Sequence, residues 1–294
     1  MSAMDLRDAL QGFLVQIEAD GRSPHTIGQY RRHVTALIRW LDANSAGDDV
    51  AELTPALLAR FFADGAARDS CRGGRKKATS LNAMRTSIRC YCTHLHDAGV
   101  VASNPARLLR RARCAPPPPK ALHTDEEERL LTVLADATGP EAERDRMLVD
   151  LLLGTGIRLG SALALDVDDI DFAHGEISIR RAKNDRPATV VMPKSLADKL
   201  RQFVGDQAQG PVFRAGGERR VSTRHTQRRL AGWLAKAGIT GKSAHSLRHS
   251  YAAALLARTG DLRLVQAALC HASIASTTIY TAVDWARLRA AVGS

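Results

Sequence analysis

Apolar residues recur at helical spacing through the first third of the chain. Phe13, Leu14 and Ile17 share one face, and so do Tyr30, Val34, Leu37, Ile38 and Leu41. Recurrence of this kind marks a helix with one buried side. Between the two runs, Gly21-Arg22-Ser23-Pro24 stops one helix and opens the next. Ser23 is placed to cap, and a proline at the first helical position gives up only an amide that would lack a helical partner anyway. Asn104-Pro105 marks a later stop. No strand-like alternation of useful length interrupts these runs, so the pattern predicts a small helical bundle over residues 1–113.

The pattern breaks at residues 114–120, Cys114-Ala115-Pro116-Pro117-Pro118-Pro119-Lys120. Four consecutive prolines cannot continue a helix and favour an extended spacer, which predicts a linker. Beyond it, Thr124 and Glu127 have the spacing of a capping box, so a helix is expected to start there. Residues 144–156 are rich in apolar side chains and end at Gly154-Thr155-Gly156, a helix stop. Glu176 to Arg180 alternates as a strand does, and Ala188 to Met192 reads as its partner. Arg181 to Pro187 forms the polar turn between them. From Ser195 onward helices dominate again. The expected fold is mainly α with a small antiparallel sheet, an α+β arrangement in a second domain over residues 121–294.

Charge adds a partner to this picture. Lys and Arg number 42 against 31 Asp and Glu, a formal net charge of +11. Both parts are cationic: residues 1–113 carry 17 basic and 11 acidic residues, the remainder 25 and 20. A protein that grips a polyanion with two domains has this balance, although an arginine-rich protein of another kind would share it. The stretch from Arg68 to Arg113 is opposed only by Asp69 and Asp97. Within it, Arg72, Arg75, Lys76 and Lys77 form a basic loop, and Arg85 and Arg89 stand one helical turn apart. These six are the candidate DNA-binding residues. Met1 to Leu10 has no apolar signal core, and no apolar run approaches the length of a bilayer span. The five cysteines show no CxxC spacing, so neither a zinc knuckle nor a disulfide framework is suggested. A cytoplasmic protein without membrane partners is the expectation.

Candidate chemistry lies in the second domain. Arg158 follows the glycine turn, His245 and Arg248 are three residues apart in His245-Ser246-Leu247-Arg248-His249, and Tyr280 follows His271 by nine residues. Lys183 sits on the expected hairpin. Residues at i and i+3 share a helix face, so His245 and Arg248 can reach one ligand. His245 and His249 are also spaced as a zinc pair, but the intervening glutamate of HExxH is absent. Asp166, Asp168, Asp169 and Asp171 leave open a magnesium site.

Taken together, these segments resemble the catalytic domain of the tyrosine recombinases, the family of phage integrases and Xer-type recombinases. Gly154-Thr155-Gly156-Ile157-Arg158-Leu159 resembles the motif of the family's first arginine. His245 to Ala252 resembles its HxLRH box, and Leu269 to Ser273 with Thr278 to Thr281 resembles its second-histidine and nucleophile segments. Ser23 to Tyr30 and Ser103 to Ala106 resemble its helical core-binding domain, and the length suits the compact Xer-like form. The resemblance implies a recombinase that cleaves and rejoins DNA through a 3′-phosphotyrosyl bond, with no cofactor and no metal. It implies Tyr280 as nucleophile, Arg158 and Arg248 as phosphate clamps, Lys183 as proton donor, and His245 and His271 as proton-transfer groups. The implied partners are double-stranded DNA with inverted-repeat half-sites and a homotetramer on two sites, alone or with a second recombinase. A C-terminal helix with Trp285, Leu288 and Val292 would pack on a neighbouring protomer or on its own domain. Two positions depart from the family pattern: Ser161 stands where a glutamate is usual, and Cys270 where a glycine is usual. A type IB topoisomerase, or a protein of this fold that binds DNA without cutting it, remains the alternative.

Overall fold

The computed structural model describes residues 4–44, 49–71, 73–114, 120–180 and 188–269. It falls into two compact units, Met1–Ala115 and Pro116–Ser294.

The first unit is helical: α1 (Leu6–Ala19), α2 (Pro24–Ala43), α3 (Pro55–Ala63), α4 (Gly65–Arg68) and α5 (Ala78–Asp97). Ser23 caps α2 by accepting the Thr26 amide, and Pro24 takes the first helical position, as the sequence predicts. The core is aromatic. Phe13 of α1 meets Tyr91 of α5 edge to face at 5.6 Å and stacks on Tyr30 of α2 at 5.9 Å. Tyr91 is fully buried, and its hydroxyl donates to the Leu6 carbonyl at 3.1 Å, which removes the cost of hiding that group.

The second unit contains α6 (Thr124–Ala135), α7 (Pro140–Thr155), α8 (Leu159–Ala164), α9 (Lys194–Val204), α10 (Thr223–Lys236), α11 (Ala244–Thr259) and α12 (Leu262–Ala268). Strands β1 (Ile170–Asp171), β2 (Glu176–Ile179) and β3 (Ala188–Val191) form one antiparallel sheet in that order. Ile177 pairs with Val190, and both point into the core, so the period-2 alternation does set the register. The start of α6 differs from expectation. The cap position belongs to His123, whose amide donates to Glu126 at 2.9 Å, while Thr124 is already helical. A carboxylate three residues on selects the start of the helix, and Glu126 fills that role one residue earlier than Glu127 would.

Helix α7 is the centre of this unit. Leu148, Leu151 and Leu152 on it are buried, and so are Arg144 and Asp145. Arg146 reaches back to the end of α6 and donates to the carbonyls of Leu134, Ala135 and Ala137. Those carbonyls have no intrahelical partners, so the guanidinium seals the helix end. No described helix is long and apolar enough to cross a membrane.

Candidate active site

The site is built where α7 stops and α11 begins. Gly156 ends α7 with φ +63°, a conformation that costs an L-residue free energy and glycine little. Space there is also missing: an added Cβ would lie 2.3 Å from Tyr251 Cδ1 and 2.9 Å from Leu269 Cδ2. The glycine turn thus presses against α11 and turns the chain so that Arg158 stands at the residue before α8, with no capping bond from its side chain. Gly154, the other half of the expected stop, lies inside α7, where an added Cβ would sit 2.6 Å from Leu196. Its role is close packing of α7 on α9.

At α11, the Ser243 amide donates to Ser246 Oγ at 3.1 Å, fixing the first turn. That turn carries His245, and Arg248 follows on the same face. Arg248 is 3% exposed. Its Nη1 donates to the Gly156 carbonyl at 2.5 Å, and its Nη2 to the Leu269 carbonyl at 2.6 Å. One guanidinium therefore ties the turn before Arg158 to the end of α12. A cleft of about 350 Å³ opens beside it, lined by Ile157, Arg158, Leu159, Lys242, His245 and Arg248. Partial burial, then Arg248 and Arg158, hold the His245 imidazole below its ordinary pKa. His249 meets His245 edge to face, with ring centroids 4.5 Å apart. Burial and the neighbouring cations push His249 down to about 4. Both rings are neutral near pH 7, and the cleft that His245 lines has a positive fixed charge.

Lys242 is the residue that sequence reading passes over. Its side chain is 15% exposed, and its ammonium donates to the Ala121 carbonyl at 2.5 Å, with Glu126 at 3.5 Å. No spacing signal points to it, because its partners lie more than a hundred residues away.

Arg158, His245 and Arg248 are thus brought together. Lys183, His271 and Tyr280 lie outside the described residues, as do Arg72, Cys270 and the segment with Trp285, Leu288 and Val292. Ser161, on α8, lines a separate small pocket with Asp169 and Arg180. Three of the four aspartates that left a magnesium site open are engaged otherwise, Asp169 with Arg180 at 2.5 Å, Asp166 with Arg220 at 2.6 Å, and Asp171 with His174 at 2.7 Å, while Asp168 is exposed. Among the described residues, no group of three His, Cys, Asp or Glu is placed to hold a metal ion.

The basic candidates of the first unit divide. Arg75, Lys77 and Arg89 are exposed. The Lys76 ammonium donates to the Ala67 carbonyl at 2.7 Å, which gives it a structural task. Arg85 lies half-buried over the Phe62 ring at 4.9 Å and does not share an open face with Arg89. An arginine stem covers apolar surface readily, and helical spacing does not reveal that.

Two family models match the chain. The phage integrase family matches residues 120–287, and the phage integrase N-terminal SAM-like domain matches residues 10–99. Tyrosine recombinase XerC of Serratia marcescens is 34% identical, with 97% of this chain and 93% of the relative covered. Tyrosine recombinase XerA of Thermococcus kodakarensis is 31% identical, with 97% and 94% covered. Among solved structures, XerH recombinase bound to a palindromic difH substrate aligns with a TM-score of 0.72 at 21% identity, covering 90% of this chain and 78% of that one. A lambda integrase tetramer bound to a Holliday junction aligns with a TM-score of 0.74 at 16% identity, covering 95% and 78%. These two show a shared fold.

Proposed function

Because the chain belongs to the phage integrase family of tyrosine recombinases, we propose that it cuts and rejoins double-stranded DNA at specific sites through a 3′-phosphotyrosyl intermediate. The observation that carries this reading is the convergence of Arg158, His245 and Arg248 on one cationic cleft. A planar guanidinium stays charged and grips phosphate oxygens with paired donors, which suits a clamp on the charge that grows during phosphoryl transfer.

In this reading the Tyr280 oxygen attacks the scissile phosphorus, and the bond from phosphorus to the 5′ oxygen breaks. Lys183 gives that oxygen its proton, helped by the lowering of an amine's pKa beside two guanidinium groups. His245 and His271 exchange protons with the tyrosine and the phosphate. Rejoining is the reverse: a 5′ hydroxyl attacks the phosphotyrosyl bond and releases Tyr280. The phosphodiester energy is kept in that bond, so the cycle calls for neither nucleotide hydrolysis nor a metal. The first unit serves as the core-binding domain and the second as the catalytic domain. The protein works in the cytoplasm as a homotetramer on inverted-repeat half-sites, alone or with a second recombinase.

The test is to trap the adduct on a nicked substrate that cannot religate and to sequence the DNA-linked peptide by mass spectrometry. The expected linkage is on Tyr280. Linkage to another residue, or no adduct on a substrate that the protein binds specifically, would overturn the reading.

A further inference from the structure

We propose that the linker is fastened at both ends by side chains, by Asn82 on the first unit and by Lys242 with Ser250 on the second. These contacts set the number of residues between the two fastened ends. The first contact is a paired one. Asn82, on α5, is 5% exposed. Its Oδ1 accepts the Ala112 amide at 2.9 Å, and its Nδ2 donates to the Ala112 carbonyl at 2.8 Å. One side chain thus satisfies both backbone groups of Ala112, as a neighbouring strand would. Burial does little there. Ala106 is the last buried residue of this unit, Leu109 packs partly against its core, and Arg107, Leu108 and residues 110–114 are exposed. A backbone with so little covered surface needs specific bonds to hold it.

The other end is held by α11 and the loop before it. Ser250 Oγ accepts the Leu122 amide at 2.8 Å, and the Lys242 ammonium takes the Ala121 carbonyl. Lys242 lines the cleft, and Ser250 follows Arg248 by two residues. From Ala112 to Ala121 the chain can span at most about 32 Å. Releasing Asn82 moves the first anchor back to Leu109, which packs against the core, and raises that ceiling to about 43 Å. Effective concentration falls as roughly the three-halves power of tether length, so the second unit would be about 1.5-fold less available to a DNA already held by the first. This consequence for DNA rests on the recombinase reading; the fastening itself does not.

Two variants of the full chain test it. Asn82→Val removes the amide, and Ala112→Pro removes the backbone N–H from the exposed side without touching the core. In Asn82→Val trypsin should cut after Arg110, Arg111 and Arg113 at least about tenfold faster, and in Ala112→Pro after Arg110 and Arg113, since local opening governs cleavage and trypsin does not cut an Arg-Pro bond. Ser250→Ala should likewise speed cutting after Lys120. On DNA, Asn82→Val should lose about 1.5-fold in affinity, and inserting about three Gly or Ser residues after Pro117 in the parent should give a similar loss. Unchanged trypsin rates in Ala112→Pro, where unfolding of the core is not in question, would overturn the proposal. If the parent bound no DNA, the recombinase reading would fall, while the trypsin comparison would still report on the fastening.

Discussion

Replacing Arg248 with alanine is expected to slow strand cleavage by about 10³-fold while leaving DNA affinity within about threefold. Two losses combine. The first is the charge that the proposed reaction assigns to the phosphate, and removal of one such donor costs roughly 10² to 10³ in rate. The second is positional. Arg248 holds the carbonyls of Gly156 and Leu269 together, so alanine frees the turn that aims Arg158 and the end of α12. Lysine should not rescue, because a single ammonium on a flexible stem cannot bridge two carbonyls and still face a phosphate. The same change removes a positive neighbour from His245, whose pKa burial, Arg248 and Arg158 now lower. Its imidazole should titrate at higher pH in the variant, which NMR can follow. Cleavage within tenfold of the parent would show that Arg248 is structural and that the phosphate is held elsewhere.

Asp145→Ala should cost the second unit about 3–5 kcal/mol, the usual result of stripping one partner from a buried ion cluster. The Asp145 carboxylate is 5% exposed. It accepts from Arg144 at 3.0 Å, from Arg229 Nε at 2.5 Å and from the Trp233 indole at 2.8 Å. Alanine leaves the buried Arg144 guanidinium without its counter-charge and deprives Arg229 of one of its two carboxylates, Glu141 being the other. The melting transition of this unit should drop by roughly 10 °C. Asp145→Asn should fall between the two, since the amide keeps an acceptor but not the charge. A loss under about 1 kcal/mol would mean that water replaces the carboxylate.

Local signals and distant ones explain what could be read from the chain. Ser23-Pro24 and the alternation of Ile177 and Ile179 were legible because each acts within one helical turn or one strand. The glycine after α7 was legible too, although its second reason, the Tyr251 ring, was not. Arg158, His245 and Arg248 were found as motifs, and the fold supplies the cleft that unites them. Long-range electrostatics stayed hidden. Asp166 and Asp169 left a metal site open as a minor alternative, and Arg180 and Arg220 give them other partners. Asp145 carried no signal at all, because Arg229 and Trp233 stand 84 and 88 residues away. Lys183, His271 and Tyr280 lie outside the described residues, so their assignment rests on the sequence and the proposal built on it.

The cleft between Arg158 and Arg248 also bears on crystallography. Two arginines line this space beside the His245 imidazole, which stays neutral near pH 7, and no described carboxylate lines it. Such a space selects tetrahedral oxyanions over carboxylates, because three oxygens can meet donors at once. Crystals of the protein grown from sulfate or phosphate should hold one ion there. Its central atom would mark where the scissile phosphorus sits, before any oligonucleotide has been synthesised.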